Sequence, residues 1–238
     1  MRNISVIIQA RMGSSRLPGK IMKEIIDKPM IEYLLDRVSK SKMINEIIVA
    51  TSDKKENIEF IDFLKSKNVN YFVGDEEDVL CRYYLSAKKY NITDIVRITA
   101  DCPIVDSKVI DNIVKKYIED DVDYTSNIFP RSFPKGLDTE VFSFHSLFKA
   151  HNEANSVYDR EHVTPYIRES GNFKVSNLSL DKDYSNYRLT VDWEKDLKLI
   201  KKIFNFFKPD IFFNWLDVVD LLKKNPELID INSHLNKL

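Results

Sequence analysis

Short apolar runs alternate with stretches of helical spacing through the first half of the chain. Ser5-Val6-Ile7-Ile8 is a continuous apolar run, which predicts a strand buried on both faces. From Met30 to Ser39, the residues Ile31, Leu34, Leu35 and Val38 recur at the spacing of one helix face. Ile47-Ile48-Val49-Ala50 repeats the strand pattern, and Ile58, Ile61 and Leu64 repeat the helix pattern. Val69 to Val73 predicts a third strand, Val79 to Tyr90 a helix, and Ile95 to Thr99 a fourth strand. Val109, Ile110, Ile113, Val114 and Tyr117 form a further helix stripe. Strand–helix units in this succession predict a Rossmann-like α/β fold, with a mostly parallel central sheet and helices on both faces.

The pattern changes after Asp120. Asn127 to Lys135 carries Pro130 and Pro134, and Val141-Phe142-Ser143-Phe144 reads as a strand outside the simple alternation. Val175 to Leu180 and Tyr187 to Val191 are two more expected strands. Ile200, Ile203, Phe204 and Phe207 line a late amphipathic helix, and Trp215 to Leu222 predicts another. The second half is thus expected to continue the same sheet and to add a small lobe over its edge.

Composition narrows the class. The 238 residues suit one domain with a sizeable core. Lys+Arg 36 against Asp+Glu 37, with no basic tail, excludes a protein built to bind nucleic-acid backbone. No apolar run reaches the ~18 residues needed to span a bilayer. Met1-Arg2-Asn3-Ile4 leads into the first strand without a signal-peptide pattern. Cys81 and Cys102 sit in dissimilar contexts and suggest neither disulfide nor zinc site. A reduced, cytoplasmic protein is the expectation.

Glycine usage points to one loop. Of 5 glycines, Gly13 and Gly19 fall in Ala10-Arg11-Met12-Gly13-Ser14-Ser15-Arg16-Leu17-Pro18-Gly19-Lys20, directly after the first strand. Glycine lets backbone N–H groups approach a phosphate. Ser14 and Ser15 add hydroxyls, and Arg11, Arg16 and Lys20 bring cations enough for a triphosphate. The spacing matches neither the P-loop nor the dinucleotide fingerprint. A solvated loop is the plainer alternative, but its position after the first strand favours phosphate binding.

Two strands are expected to end in carboxylates. Arg97-Ile98-Thr99-Ala100-Asp101-Cys102-Pro103 closes the fourth strand, and Arg188-Leu189-Thr190-Val191-Asp192-Trp193 ends another. Magnesium takes one or two protein carboxylates, with phosphate oxygens and water completing its octahedron. Asp101 and Asp192 suit that role if the strand ends are neighbours. Either one alone reads equally well as a helix cap; together with the cationic loop they read as metal ligands.

At this point the chain resembles a known family. Ile8 to Lys20, followed by Lys28-Pro29-Met30-Ile31, is similar to the opening of the cytidylyltransferases that activate acidic sugars, including 3-deoxy-manno-octulosonate and neuraminate. Within that family the chain resembles the branch of spore coat polysaccharide biosynthesis protein F. It shares Asp78-Val79-Leu80-Cys81-Arg82-Tyr83, Thr99-Ala100-Asp101-Cys102-Pro103, Gly136-Leu137-Asp138-Thr139-Glu140-Val141-Phe142, Arg160-Glu161-His162-Val163-Thr164-Pro165-Tyr166-Ile167 and Thr190-Val191-Asp192. The resemblance covers about Ile4 to Leu199.

The resemblance implies a nucleotidyltransferase fold of the nucleotide-diphospho-sugar transferase type, one domain over 1–238 and often a homodimer. About 1–120 would bind nucleotide, about 121–190 would form the acceptor-side lobe, and 191–238 the C-terminal helices. Asp101 and Asp192 would hold Mg2+. Ala10 to Lys20 would wrap the triphosphate of CTP, with Thr99 and Ala100 nearby and the segment from Asp75 to Arg82 beside the nucleoside. Lys135, Asp138, Glu140, Arg160, Glu161 and His162 would contact a small sugar-acid or phosphorylated acceptor. Arg11, Arg16 and Lys20 would stabilise departing pyrophosphate. The sugar-acid enzymes carry a Gln-Gly-Asp-Glu-type sequence where this chain has Thr99-Ala100-Asp101-Cys102, so the acceptor is not carried over. The alternatives are a nucleotidyltransferase using another NTP and a sugar phosphate, a glycosyltransferase, and a non-enzymatic nucleotide-binding subunit. The Asp-x-Asp metal motif usual in glycosyltransferases is absent from Asp101-Cys102-Pro103, and a scaffold has no need of leaving-group cations.

Overall fold

The computed structural model describes residues 2–237. β1 (Ile4–Gln9) turns Val6 and Ile8 to one face of the sheet and Ile7 to the other, which is why three apolar residues follow one another there. The chain continues through α1 (Met30–Val38), β2 (Ile47–Ser52), α2 (Ile58–Ser66), β3 (Asn70–Gly74), α3 (Val79–Lys89), β4 (Asp94–Thr99) and α4 (Ser107–Glu119). These elements follow the expected alternation. β5 (Tyr124–Ser126), β6 (Glu140–Ser143), α5 (Phe144–Glu153), α6 (Val157–His162), α7 (Pro165–Glu169), β7 (Val175–Asn177), α8 (Glu194–Phe207), α9 (Trp215–Lys224) and α10 (Pro226–Ile229) complete it.

The described strands form one 7-stranded sheet in the order β3-β2-β1-β4-β6-β5-β7. β6 is antiparallel to both β4 and β5, while the other pairs are parallel. Helices α1, α2, α4, α8 and α9 bury their apolar stripes on one face. α3, α5 and α7 cover the other. A single Ile buried from water contributes about 1.5–3 kcal/mol, and Ile7, Ile8, Ile48 and Ile95 are all fully buried.

The strand order positions the site. From β1 the chain steps outward to β2 and β3, then crosses back to β4 on the other side of β1. The loops leaving β1 and β4 therefore part in opposite directions, opening a crevice at their carboxyl ends. Gln9 pairs with Thr99 across those two strands, so residues 10–20 and 100–103 emerge side by side.

The second half departs from the expectation in detail. Tyr187 to Val191 is not a sheet strand. It makes one bridge, Lys135 to Arg188, and its Val191 N–H donates to Asp101 O at 2.8 Å. Tyr187 O and Leu189 N–H pair with Lys135 alone, so the bridge does not extend into a ladder. The expected strand from Val175 to Leu180 shortens to β7: Leu178 N–H makes the last ladder bond, to Ser126 O, and Leu180 N–H goes to Ser132 Oγ instead. Phe144 opens a helix instead of ending a strand, since Ser143 Oγ accepts from Ser146 N–H at 2.9 Å and caps α5. β5 has too little apolar character to have been anticipated.

The loop preceding β6 is fixed by a close approach. Gly136 has φ of 105°, and a Cβ there would lie 2.6 Å from the carbonyl carbon of Leu189. Gly136→Ala is expected to cost at least about 2 kcal/mol and to lower Tm by roughly 4–8 °C. An unchanged Tm in calorimetry would refute this account of the contact.

Candidate active site

A cleft of about 310 Å³ opens where β1 and β4 end, and its lining includes residues of the loop 10–20, Thr99 to Asp101, Asp192, and Glu161 and His162 from α6. Local bonds hold the loop open. Gly19, in the left-handed region at φ 65°, donates its N–H to Met12 O at 3.0 Å and closes the base. Asn57 Oδ1 accepts from Met12 N–H at 2.8 Å. Between these ties, the N–H groups of Gly13, Ser14, Ser15 and Arg16 have no intramolecular partner among the described residues. Such a row of free N–H groups is an anion cradle. Arg11 reaches it from one side, paired with Glu76 at 2.7 Å, and Arg16 from the other, lying 5.6 Å over the Trp193 ring.

Asp101 and Asp192 are neighbours, as the metal reading requires. Lys20 Nζ lies 3.1 Å from Asp101 Oδ2 and 3.0 Å from Asp192 Oδ1, and donates to Val191 O at 2.8 Å. The two carboxylates therefore converge on one point that already accommodates a cation, with hard oxygen donors of the kind magnesium selects. This donor set fits a magnesium ion, which needs no third protein carboxylate. Burial alone would push the Lys20 ammonium down, but the Asp101 and Asp192 charges outweigh it and hold it above its ordinary value. Burial likewise opposes ionisation of Asp101, yet the Lys20 charge and the Thr99 hydroxyl, 2.5 Å away, hold its carboxyl below the usual range. Burial beside Asp101 pushes the Cys102 thiol well up, so it stays protonated.

Behind Asp192 stands a second tier. Arg188 bridges Asp192 Oδ2 at 2.8 Å and Asp196 Oδ1 at 2.9 Å. Asp196, fully buried, also accepts from the N–H groups of Asp192 and Trp193 and from Asn232 Nδ2 at 2.8 Å. Neither expected cap is the aspartate itself: Trp193 stands at the N-cap of α8, and Asp106 caps α4.

The expected acceptor residues divide. Glu161 and His162 line the cleft on the same side as Asp101 and Asp192. Arg160 does not line it. Its Nε and Nη2 bind Asp78 at 3.0 and 2.5 Å, and Nη1 binds His151 O at 2.7 Å, so its fork is committed to holding α6 against α3 and α5. Glu140 is buried against Arg97, Tyr124 and Thr164; burial alone would raise its carboxyl, and Arg97 outweighs that and holds it down. Asp138 accepts both N–H groups of Arg131 at 2.6 Å, and Lys135 pairs through its backbone with Arg188; neither lines the cleft. Asp75 caps the turn into α3 through Glu77 and Asp78 N–H and stays off the cleft, whereas Arg82, buried at its back, lines it. Gln9 and Val79 line it too; both fall inside motifs shared with the family, but neither is among the expected site residues. The end of an apolar run at Gln9 is a further signal.

Fold and site together define an α/β protein in which a row of free backbone N–H groups abuts a paired carboxylate. The cytidylyltransferase family model matches residues 5–218, and the chain belongs to the cytidylyltransferase family, whose members are nucleotidyltransferases. A functionally uncharacterised protein of Methanocaldococcus jannaschii is 41% identical over 97% of this chain and 95% of its own. Spore coat polysaccharide biosynthesis protein SpsF of Bacillus subtilis is 30% identical, over 95% of this chain and 97% of its own. The solved structure of a cytidylyltransferase from Leptospira borgpetersenii superposes with a TM-score of 0.92 at 34% identity, covering 96% of this chain and 97% of that one. No helix among the described residues is long and apolar enough to cross a membrane.

Removing the second tier is expected to cost stability in a pH-dependent way. Burial works against the Asp196 carboxylate, but hydrogen bonds from Arg188 lead the groups that outweigh it and hold its pKa below the ordinary 3.8. Its contribution is therefore complete above that ordinary value and lost as pH falls through the folded value. Asp196→Asn should lose about 3 kcal/mol at neutral pH. Its stability should also fall less steeply than the wild type's as pH drops below about 4. Parallel wild-type and variant curves in urea titrations across this range would contradict the assignment.

Proposed function

We propose that this chain transfers CMP from CTP to a small acidic sugar or phosphorylated acceptor, releasing pyrophosphate, with Mg2+ held by Asp101 and Asp192. The observation that carries the reading is the convergence of those two carboxylates on one cation position beside the free N–H row of residues 13–16. The motifs shared with the sugar-acid cytidylyltransferases and with SpsF support CTP as donor and surface polysaccharide or glycoconjugate synthesis as setting.

In this reading the loop 10–20 grips the triphosphate through its backbone, and Arg11 and Arg16 neutralise the β- and γ-phosphates. When bound, magnesium would polarise the reacting phosphate and screen the charge of the attacking oxygen. The acceptor oxygen attacks the α-phosphorus in line, the bond to the β-phosphate oxygen breaks, and pyrophosphate leaves. The loop cations stabilise charge as it gathers on that leaving group. Arg82 and Val79, which line the cleft, would lie beside the nucleoside, with Asp75 fixing the turn that leads to them. Glu161 and His162, which line the cleft, form the acceptor wall. Residues 1–120, 121–190 and 191–238 act as nucleotide part, acceptor lobe and closing helices of one domain. Exposed Leu85, Phe148, Val157 and Tyr158 on α3, α5 and α6 support a homodimer. The expected sedimentation velocity is that of a dimer, and a monomer at micromolar concentration would rule it out. A biosynthetic enzyme using CTP belongs in the cytoplasm.

Pyrophosphate release is the direct test, with each NTP, Mg2+ and a panel of keto-sugar acids and sugar phosphates. CTP with a sugar acid should turn over. Asp101→Asn and Asp192→Asn should each lower kcat by at least about 10³-fold while keeping the folded circular dichroism spectrum. Near-normal rates in either variant would remove that residue from the metal site.

A further inference from the structure

An ammonium has three N–H donors, and Lys20 has three acceptors: Asp101 Oδ2 at 3.1 Å, Asp192 Oδ1 at 3.0 Å and Val191 O at 2.8 Å. So engaged, it has no donor left for a phosphate oxygen. To reach one, it must release a carboxylate. A released carboxylate in this half-buried place, where the Asp101 and Asp192 side chains are 25% and 16% exposed, needs another cation. The position Lys20 fills is the point on which the two carboxylates converge, so lysine and divalent ion compete for one place.

The charge balance points the same way. Lys20, Arg16 and Arg188 face Asp101, Asp192 and Asp196, three positive groups against three negative ones. A bare divalent ion therefore meets a neutral site whose oxygens are taken. A divalent ion that arrives with a triphosphate meets different conditions, because the phosphates offer Lys20 new acceptors as the ion takes its old ones. The local build permits the exchange. Ile21 is 1% exposed and anchors the backbone after Lys20, whose N–H donates to Leu17 O at 3.1 Å, so only the four-carbon side chain has to swing. Arg16, half-exposed, shares Asp192 Oδ1 at 2.7 Å and is easily drawn off.

We propose that the Lys20 ammonium is an internal stand-in for the divalent ion, holding the Asp101–Asp192 pair until metal and nucleotide arrive together and then passing to the phosphates. The inference rests on reading those two aspartates as metal ligands. It makes metal and nucleotide binding mutually reinforcing, and it keeps the metal position from being filled without substrate.

Titration of Mn2+ into the full chain without nucleotide, followed by electron paramagnetic resonance, tests it. Lys20→Met should bind Mn2+ roughly tenfold more tightly than wild type, because the competing charge is gone. Lys20→Arg should stay near wild type, and Asp101→Asn placed on Lys20→Met should abolish the gain. Lys20→Gln, neutral and still hydrogen-bonding, repeats the measurement should Lys20→Met fail to fold. An affinity for Lys20→Met within about twofold of wild type, still dependent on Asp101, would overturn the exchange and leave the metal site standing. No Mn2+ on a folded Lys20→Met protein, or binding indifferent to Asp101→Asn, would sink the metal site and the exchange together.

Discussion

Two carboxylates brought to one point must be neutralised, and much of the molecule around the cleft is organised by that requirement. Asp101 comes from the end of β4 and Asp192 from a segment that merely brushes the sheet. Alone they would repel, and burial would drive one toward its protonated form. Lys20 from the loop after β1 lies between them, and Arg188 supports Asp192 from behind. Arg188 in turn needs Asp196, which is aligned by the start of α8 and by Asn232 near the C-terminus. One electrostatic demand thus reaches from the first loop to the last turn.

The side of the cleft formed by α6 follows another logic. Arg97 and Glu140 form a buried pair beneath β4 and β6, extended by Tyr124 and Thr164. Gln9 Oε1 accepts from the same Arg97 at 3.0 Å, so this network orients a side chain that faces the cleft. Arg160 and Asp78 lock α6 to α3, and thereby fix where Glu161 and His162 stand. Chemistry-bearing residue types in this half of the protein act largely by holding their neighbours in place.

What could be read from residues alone follows from range. The strands and helices up to α4 announce themselves because each is a local pattern of apolar spacing. The glycine- and cation-bearing loop after β1 is equally local, so Gly13, Ser14, Ser15 and Arg16 could be singled out together. The juxtaposition of Asp101 and Asp192 was legible as a condition, two strand ends that must meet, and through the resemblance. The partner of Arg160 was not legible, since Asp78 lies 82 positions away and an arginine in a charged run looks the same whether it meets a ligand or a carboxylate. Tyr187 to Val191 has the composition of a strand and lacks only a neighbour to pair with, which no local pattern records. Arg188 and Asp196 read as ordinary surface charges until the fold buries them.

The separation of the site's parts along the chain has a consequence for biosynthesis. Arg16 and Asp192 are 176 positions apart, and Lys20 and Asp101 are 81 apart. While the protein is being made, the loop and β4 leave the ribosome long before Asp192 does. During that interval Lys20 and Asp101 have each other but not the third member. The half-made chain can fold its first strands, yet the charge balance around Lys20 is incomplete until Asp192 has emerged.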